Sequence, residues 1–176
     1  MMEDLDVIFS HGQESGPWGS KITAMAAMVR ELGARADSVD YQGIADPTQR
    51  VQKLVGVLGA GRAPGRSTIL VGSSMGGHVA TAASTVQPVD GVFALAPAYY
   101  MPGYEELTPP PPDCPLEIVH GWRDDVVPVE NSIRFARESL ASLHVVDGDH
   151  RLTENIDIIN ELLRLFIARV VANRGE

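Results

Sequence analysis

Short apolar runs alternate along this chain with longer segments of helical periodicity. The runs are Leu5–Phe9, Ala36–Asp40, Thr68–Val71, Gly91–Leu95, Leu116–Val119 and Leu143–Val146. Most are apolar at consecutive positions, the pattern of strands covered on both faces. Between them, Trp18–Leu32 carries Ile22, Met25, Ala26, Val29 and Leu32 at spacings of three and four. Asp46-Pro47 reads as a cap followed by proline at the first helical position, and Val51, Leu54, Val55 and Leu58 form the stripe behind it. Met75–Val86 is rich in alanine and glycine. Glu130–Leu140 carries Ile133, Phe135, Ala136 and Leu140, and Thr153–Val171 carries Ile156, Ile159, Leu162, Leu163, Phe166, Ile167 and Val170. Strand and helix alternate six times. That predicts an α/β fold of three layers, a mostly parallel six-stranded sheet with helices on both faces. Such sheets bind ligands at the carboxyl ends of their strands. One segment, Ala96–Pro115, breaks the rhythm with Tyr99, Tyr100, Tyr104 and a proline run at 109–112 that reads as extended and stiff. Gly59–Arg66 reads as an exposed loop.

Composition narrows the function classes. At about 150 residues per domain, the 176 residues are expected to form one domain, 1–176. Lys and Arg minus Asp and Glu is 14 − 23 = −9. A chain this acidic repels phosphate backbones and anionic headgroups, so neither nucleic acid nor membrane is an expected partner. No apolar run reaches the length of a membrane span. The acidic start, Met1-Met2-Glu3-Asp4, does not read as a secretory signal. A cytoplasmic location is therefore expected. The single cysteine, Cys114, allows neither an internal disulfide nor a cysteine-based zinc site. The sequence does not set an oligomeric state.

The chemistry-bearing residues follow the strands. After the third comes Gly72-Ser73-Ser74-Met75-Gly76-Gly77, a Gly-x-Ser-x-Gly pattern centred on Ser74 at a strand-to-helix junction. A serine on such a turn is held in a strained conformation, and small residues at 72 and 76 let neighbouring backbone pass closely. The helix-start N–H of Met75 is then a candidate oxyanion donor. Ser73 is a weaker nucleophile candidate, flanked by Val71 and Met75, and a bland turn in which Ser74 only caps the helix is the alternative. After the fifth strand comes His120-Gly121-Trp122-Arg123-Asp124-Asp125, and only one of the adjacent aspartates can point at the site. Asp124 is the stronger candidate for the acid that orients a histidine. After the last strand, Asp147-Gly148-Asp149-His150 places His150 downstream of both groups, in the chain order Ser74, Asp124, His150. Asp147 and Asp149 read as shaping that loop. After the first strand, Ser10-His11-Gly12-Gln13 offers the Gln13 N–H as a second oxyanion donor. Tyr99, Tyr100, Met101, Tyr104 and Trp122 fall on loops at the same predicted edge. They are candidate walls of a substrate pocket, or equally ordinary packing residues.

At His11-Gly12, Gly72–Gly77, His120-Gly121-x-x-Asp124 with Val127-Pro128, and Gly148-Asp149-His150, the chain resembles the α/β-hydrolase superfamily. Its tail resembles those of small bacterial esterases and of mitochondrial-type palmitoyl-thioesterase hydrolases. The resemblance implies Ser74 as nucleophile, Asp124 as acid, His150 as base and an oxyanion hole from the Met75 and Gln13 backbone, with no metal or cofactor. It also implies a minimal fold: the family's usual opening hairpin is not visible, and Ala96–Pro115 is too short for a large cap, so an open, shallow site is expected. The implied activity is hydrolysis of a small-molecule carboxylic ester or thioester through an acyl-enzyme. Two alternatives use the same fold: an interaction protein with little or no catalysis, and acyl transfer or perhydrolysis by the same triad.

Overall fold

The computed structural model describes residues 2–60 and 63–174, so Met1, residues 61 and 62, and the last two residues lie outside it; Gly59 and Ala60, expected in a loop, instead close the helix Pro47–Ala60. The strands are β1 (Leu5–Ser10), β2 (Arg35–Val39), β3 (Ser67–Ser73), β4 (Gly91–Leu95), β5 (Leu116–Gly121) and β6 (Ser142–Val146). The helices are α1 (Ser20–Glu31), α2 (Pro47–Ala60), α3 (Met75–Val86), α4 (Val129–Ser139) and α5 (Ile156–Asn173). All five strand pairings are parallel, in the order β2-β1-β3-β4-β5-β6.

Side chains that alternate along each central strand divide the core into two layers. Val7, Phe9, Ile69, Val71, Phe93, Leu95 and Val119 pack with α1 and α5. Leu70, Val92, Ala94 and Ile118 pack with α2, α3 and α4 on the opposite face. Because both faces are covered, the central strands need apolar residues at successive positions, which is the pattern seen in the sequence. The edge strands differ. Arg35 and Asp37 of β2 and every residue of β6 keep some exposure, since each of these strands has one open side. At the start of α2, Asp46 Oδ1 accepts from the Thr48 and Gln49 N–H groups at 2.7 and 3.3 Å, as the Asp-Pro pair predicts.

One crossover departs from strict alternation. Between β4 and β5 the connection holds no α-helix, only a 3-10 turn at Glu105–Leu107. The proline run at 109–112 carries neither helix nor strand. The segment stays short and builds no helical cap over the sheet edge.

The strand order fixes where a site can form. From β1 the chain goes outward to β2, then returns across β1 to β3 and continues the other way. The loops after β1 and β3 therefore diverge at their carboxyl ends and leave a crevice between them.

Candidate active site

Ser74 occupies the turn between β3 and α3 with φ 56° and ψ −121°, a left-handed conformation that costs a non-glycine residue about 1–3 kcal/mol. The surrounding packing holds it there. Its N–H donates to Leu95 O at 2.9 Å and its carbonyl accepts from the Ala98 N–H at 3.0 Å, which ties the turn to the loop after β4. A Cβ at Gly72 would strike the Gly76 backbone, and one at Gly76 would strike Ser10 O of β1. Side-chain-free positions on either side of Ser74 are thus what let α3 start directly against the end of β1.

His150 lies in the loop after β6. Its Nδ1 is 2.7 Å from Asp124 Oδ2 and its Nε2 is 3.0 Å from Ser74 Oγ. A carboxylate can only accept, so Nδ1 carries the proton, and the free Nε2 lone pair accepts the Ser74 hydroxyl proton. The loop is shaped by Asp149, whose Oδ1 accepts from the Arg151 and Leu152 N–H groups. Lys21 of α1 also holds it, donating from Nζ to Arg151 O at 2.9 Å. Burial lowers the Lys21 pKa to about 8, against the raising influence of Asp149 and Asp124. Asp147 is exposed and pairs with Arg123 at 2.6 Å.

Of the two adjacent aspartates, the buried one is Asp124. Its Oδ1 accepts from the N–H groups of Val126 and Val127 at 2.9 and 2.8 Å. Its Oδ2 meets both His150 and the Nε2 of His120, the latter at 3.0 Å. Asp125 is exposed and makes no hydrogen bond or ion pair among the described residues. His120 donates from Nε2 to Val127 O at 2.9 Å and the same N–H reaches the Asp124 carboxylate, while Nδ1 accepts the Ser132 hydroxyl proton at 2.7 Å. The ring is wholly buried, and burial lowers its pKa, so it touches Asp124 as a neutral donor and not as a cation. The His120-x-x-x-Asp124 spacing was visible in the sequence; the turn that folds the two together was not.

The other candidates sort as follows. The N–H groups of Met75 and Gln13 make no hydrogen bond among the described residues, so both are uncommitted. Gly12 brings the loop after β1 against the serine turn: a Cβ there would sit 3.4 Å from Ser74 Cβ. His11 is buried and neutral, donating to Gly12 O at 2.7 Å and accepting from the Tyr41 N–H at 2.8 Å. It stitches β1 to β2 and stands apart from the serine chemistry. His78 is buried in α3, and His144 pairs with Glu117.

The aromatic loop residues are not brought together as one wall. Tyr99 is fully buried, hydrogen-bonded to Thr81 at 2.6 Å and stacked on Phe135, so it belongs to the core. Tyr100 is clipped to α4, its hydroxyl donating to Glu138 at 3.0 Å and its ring beneath Arg134. Met101 is half-buried, and Tyr104 and Trp122 are exposed. A cavity of about 490 Å³, bounded by residues 13–16, 42–45 and Arg50, opens beside the Gly12 loop. Among the described residues no cluster of His, Cys, Asp and Glu could hold a metal ion, and no helix is long and apolar enough to cross a membrane.

Comparison with known proteins bears on the fold and the family. A family model for the alpha/beta hydrolase family matches residues 7–169. The human mitochondrial palmitoyl-protein thioesterase ABHD10 is 26% identical over 212 aligned positions, covering 86% of this chain and 69% of that protein. A solved Xanthomonas campestris protein, described as a hydrolase of the alpha/beta superfamily, superposes with a TM-score of 0.80 at 30% identity, covering 90% of this chain and 98% of that one. XC6422 from the same organism, a serine hydrolase without a lid, shares the fold with a TM-score of 0.78 at 18% identity, over 96% of this chain and 83% of its own.

Proposed function

The chain belongs to the alpha/beta hydrolase family, and from that premise we propose that it is a serine hydrolase that cleaves carboxylic esters or thioesters of small acyl groups. The observation that carries the reading is the unbroken hydrogen-bonded path from Ser74 through His150 to Asp124, at 3.0 and 2.7 Å. Ser74 attacks the acyl carbonyl as His150 Nε2 takes the hydroxyl proton. Asp124 holds the ring in the tautomer that leaves Nε2 unprotonated, and it stabilises the imidazolium that forms. The uncommitted N–H groups of Met75 and Gln13 receive the charge that develops on the carbonyl oxygen. His150 then returns its proton to the leaving alcohol or thiol. It next activates water, which attacks the acyl-enzyme and frees Ser74. The path uses no metal or cofactor.

The thioester branch has its own support in the name of the 26%-identical relative, a palmitoyl-protein thioesterase. A matched oxygen ester and thioester assayed side by side separate the two branches. The same triad serves acyl transfer when an alcohol or peroxide replaces water, and an added acceptor reads this directly. The test of the reading is turnover of p-nitrophenyl acetate by wild type and Ser74→Ala. Loss of the nucleophile in related triads costs about 10⁶ in kcat. Hydrolysis that survives the substitution overturns the Ser74 assignment, and a wild-type protein that does not turn the ester over returns the chain to the interaction-protein reading.

A further inference from the structure

Arg50 is the most unusual charge in the molecule. It is 2% exposed, on the first turn of α2. Buried arginines are ordinarily matched by a carboxylate, because an unpaired charge out of water is costly. Among the described residues Arg50 has no carboxylate partner. Its Nε donates to Ile44 O at 2.6 Å and its Nη1 to Gly12 O at 3.2 Å, and the guanidinium lies 5.3 Å from the Tyr41 ring centre. These contacts satisfy two nitrogens and leave the positive charge without an opposite one. Nη2 makes no hydrogen bond among the described residues, and Arg50 lines the cavity of about 490 Å³.

The place of that cavity gives the charge a use. Gln13, whose N–H faces no acceptor, is on its wall, and Gly12 touches both Arg50 and the Ser74 side. The remaining lining offers neutral polar groups, Ser15 and Gln42, and one exposed carboxylate, Glu14. In a chain of net charge −9, a buried uncompensated cation one residue from the serine stands out against the overall field. We infer that the cavity is a subsite for a carboxylate carried by the substrate, with Arg50 as its counter-charge. The preferred esters or thioesters are then those bearing a second, anionic carboxyl group. This inference rests on the hydrolase reading for its reaction, but the binding half stands without it.

The test compares monomethyl glutarate with methyl pentanoate, a pair matched in chain length, by proton release under pH-stat. Wild type should favour the glutarate ester in kcat/KM by about 10- to 100-fold, the range of one charge-assisted hydrogen bond. Arg50→Gln should bring that ratio toward one, and Arg50→Lys should keep part of it. The ratio is the readout because Arg50 also steadies the Gly12 loop, and loss of that contact moves both rates together. A wild-type ratio near one overturns the subsite. An equal loss on both esters in Arg50→Gln, with the ratio unchanged, makes Arg50 a loop clamp and overturns it as well. Calorimetric titration of glutarate into Ser74→Ala protein reads the same subsite without turnover. Binding that disappears when Arg50→Gln is added supports the subsite even where neither ester is hydrolysed, an outcome that counts against the hydrolase reading alone. Turnover of methyl pentanoate without any glutarate binding counts against the subsite alone.

Discussion

Replacing Asp124 by asparagine separates orientation from mere presence of the triad. The carboxylate accepts four hydrogen bonds, from the N–H groups of Val126 and Val127 and from the rings of His150 and His120. An amide has one acceptor oxygen and one NH₂ group. With the oxygen kept toward Val126 and Val127, the NH₂ faces two ring N–H donors. His120 retains Val127 O, so it loses half of a shared bond. His150 has no second acceptor, and its relief is to move its proton to Nε2. That tautomer turns a donor toward Ser74 Oγ and cannot take its proton. One weakened buried bond costs about 1–3 kcal/mol of stability. The wrong tautomer in comparable triads costs about 10⁴ in kcat, close to 5 kcal/mol of transition-state stabilisation. Asp124→Asn should therefore stay folded by near-ultraviolet circular dichroism while losing nearly all turnover of p-nitrophenyl acetate near neutral pH. Asp125→Asn, at an exposed position, should stay within about twofold of wild type. Equal losses in the two variants, or an Asp124→Asn protein that keeps a tenth of its activity, would refute the reasoning.

Two further outcomes follow from the same geometry. His120→Ala removes the second donor to Asp124 Oδ2 and strands the Ser132 hydroxyl, so it should lower unfolding stability by about 2–4 kcal/mol; urea denaturation measures it, and a midpoint equal to wild type would show that the contact contributes nothing. His11, His78 and His120 all have pKa values lowered by burial. The unfolded chain therefore binds protons that the folded one refuses just below the ordinary histidine pKa of about 6.5. Stability should fall as pH drops from about 7.5 to about 5.5, and urea midpoints that stay flat across that range would contradict the burial of these rings.

Much of the site is readable in the sequence, for a local reason. The Gly72–Gly77 turn, the Asp46-Pro47 cap and the loop around His150 each announce themselves in a few consecutive residues, because backbone strain and capping are short-range demands. What stayed hidden depends on contacts between distant segments. Tyr99 looked like a loop aromatic and is a core residue, since the chain after β4 folds back beneath α3 and α4. Arg50 sits beside Val51 in an ordinary amphipathic stripe, and its burial depends on distant groups, the carbonyls of Gly12 and Ile44 and the ring of Tyr41. Lys21 reaches Arg151 across 130 positions of sequence, a contact with no local signature.

The most direct measurement is labelling with a fluorophosphonate, which bonds only to an activated serine. Intact mass followed by peptide mapping should find a single adduct, on Ser74, in wild type, and none in Ser74→Ala; an unlabelled wild-type protein, or an adduct on any other serine, would contradict the account.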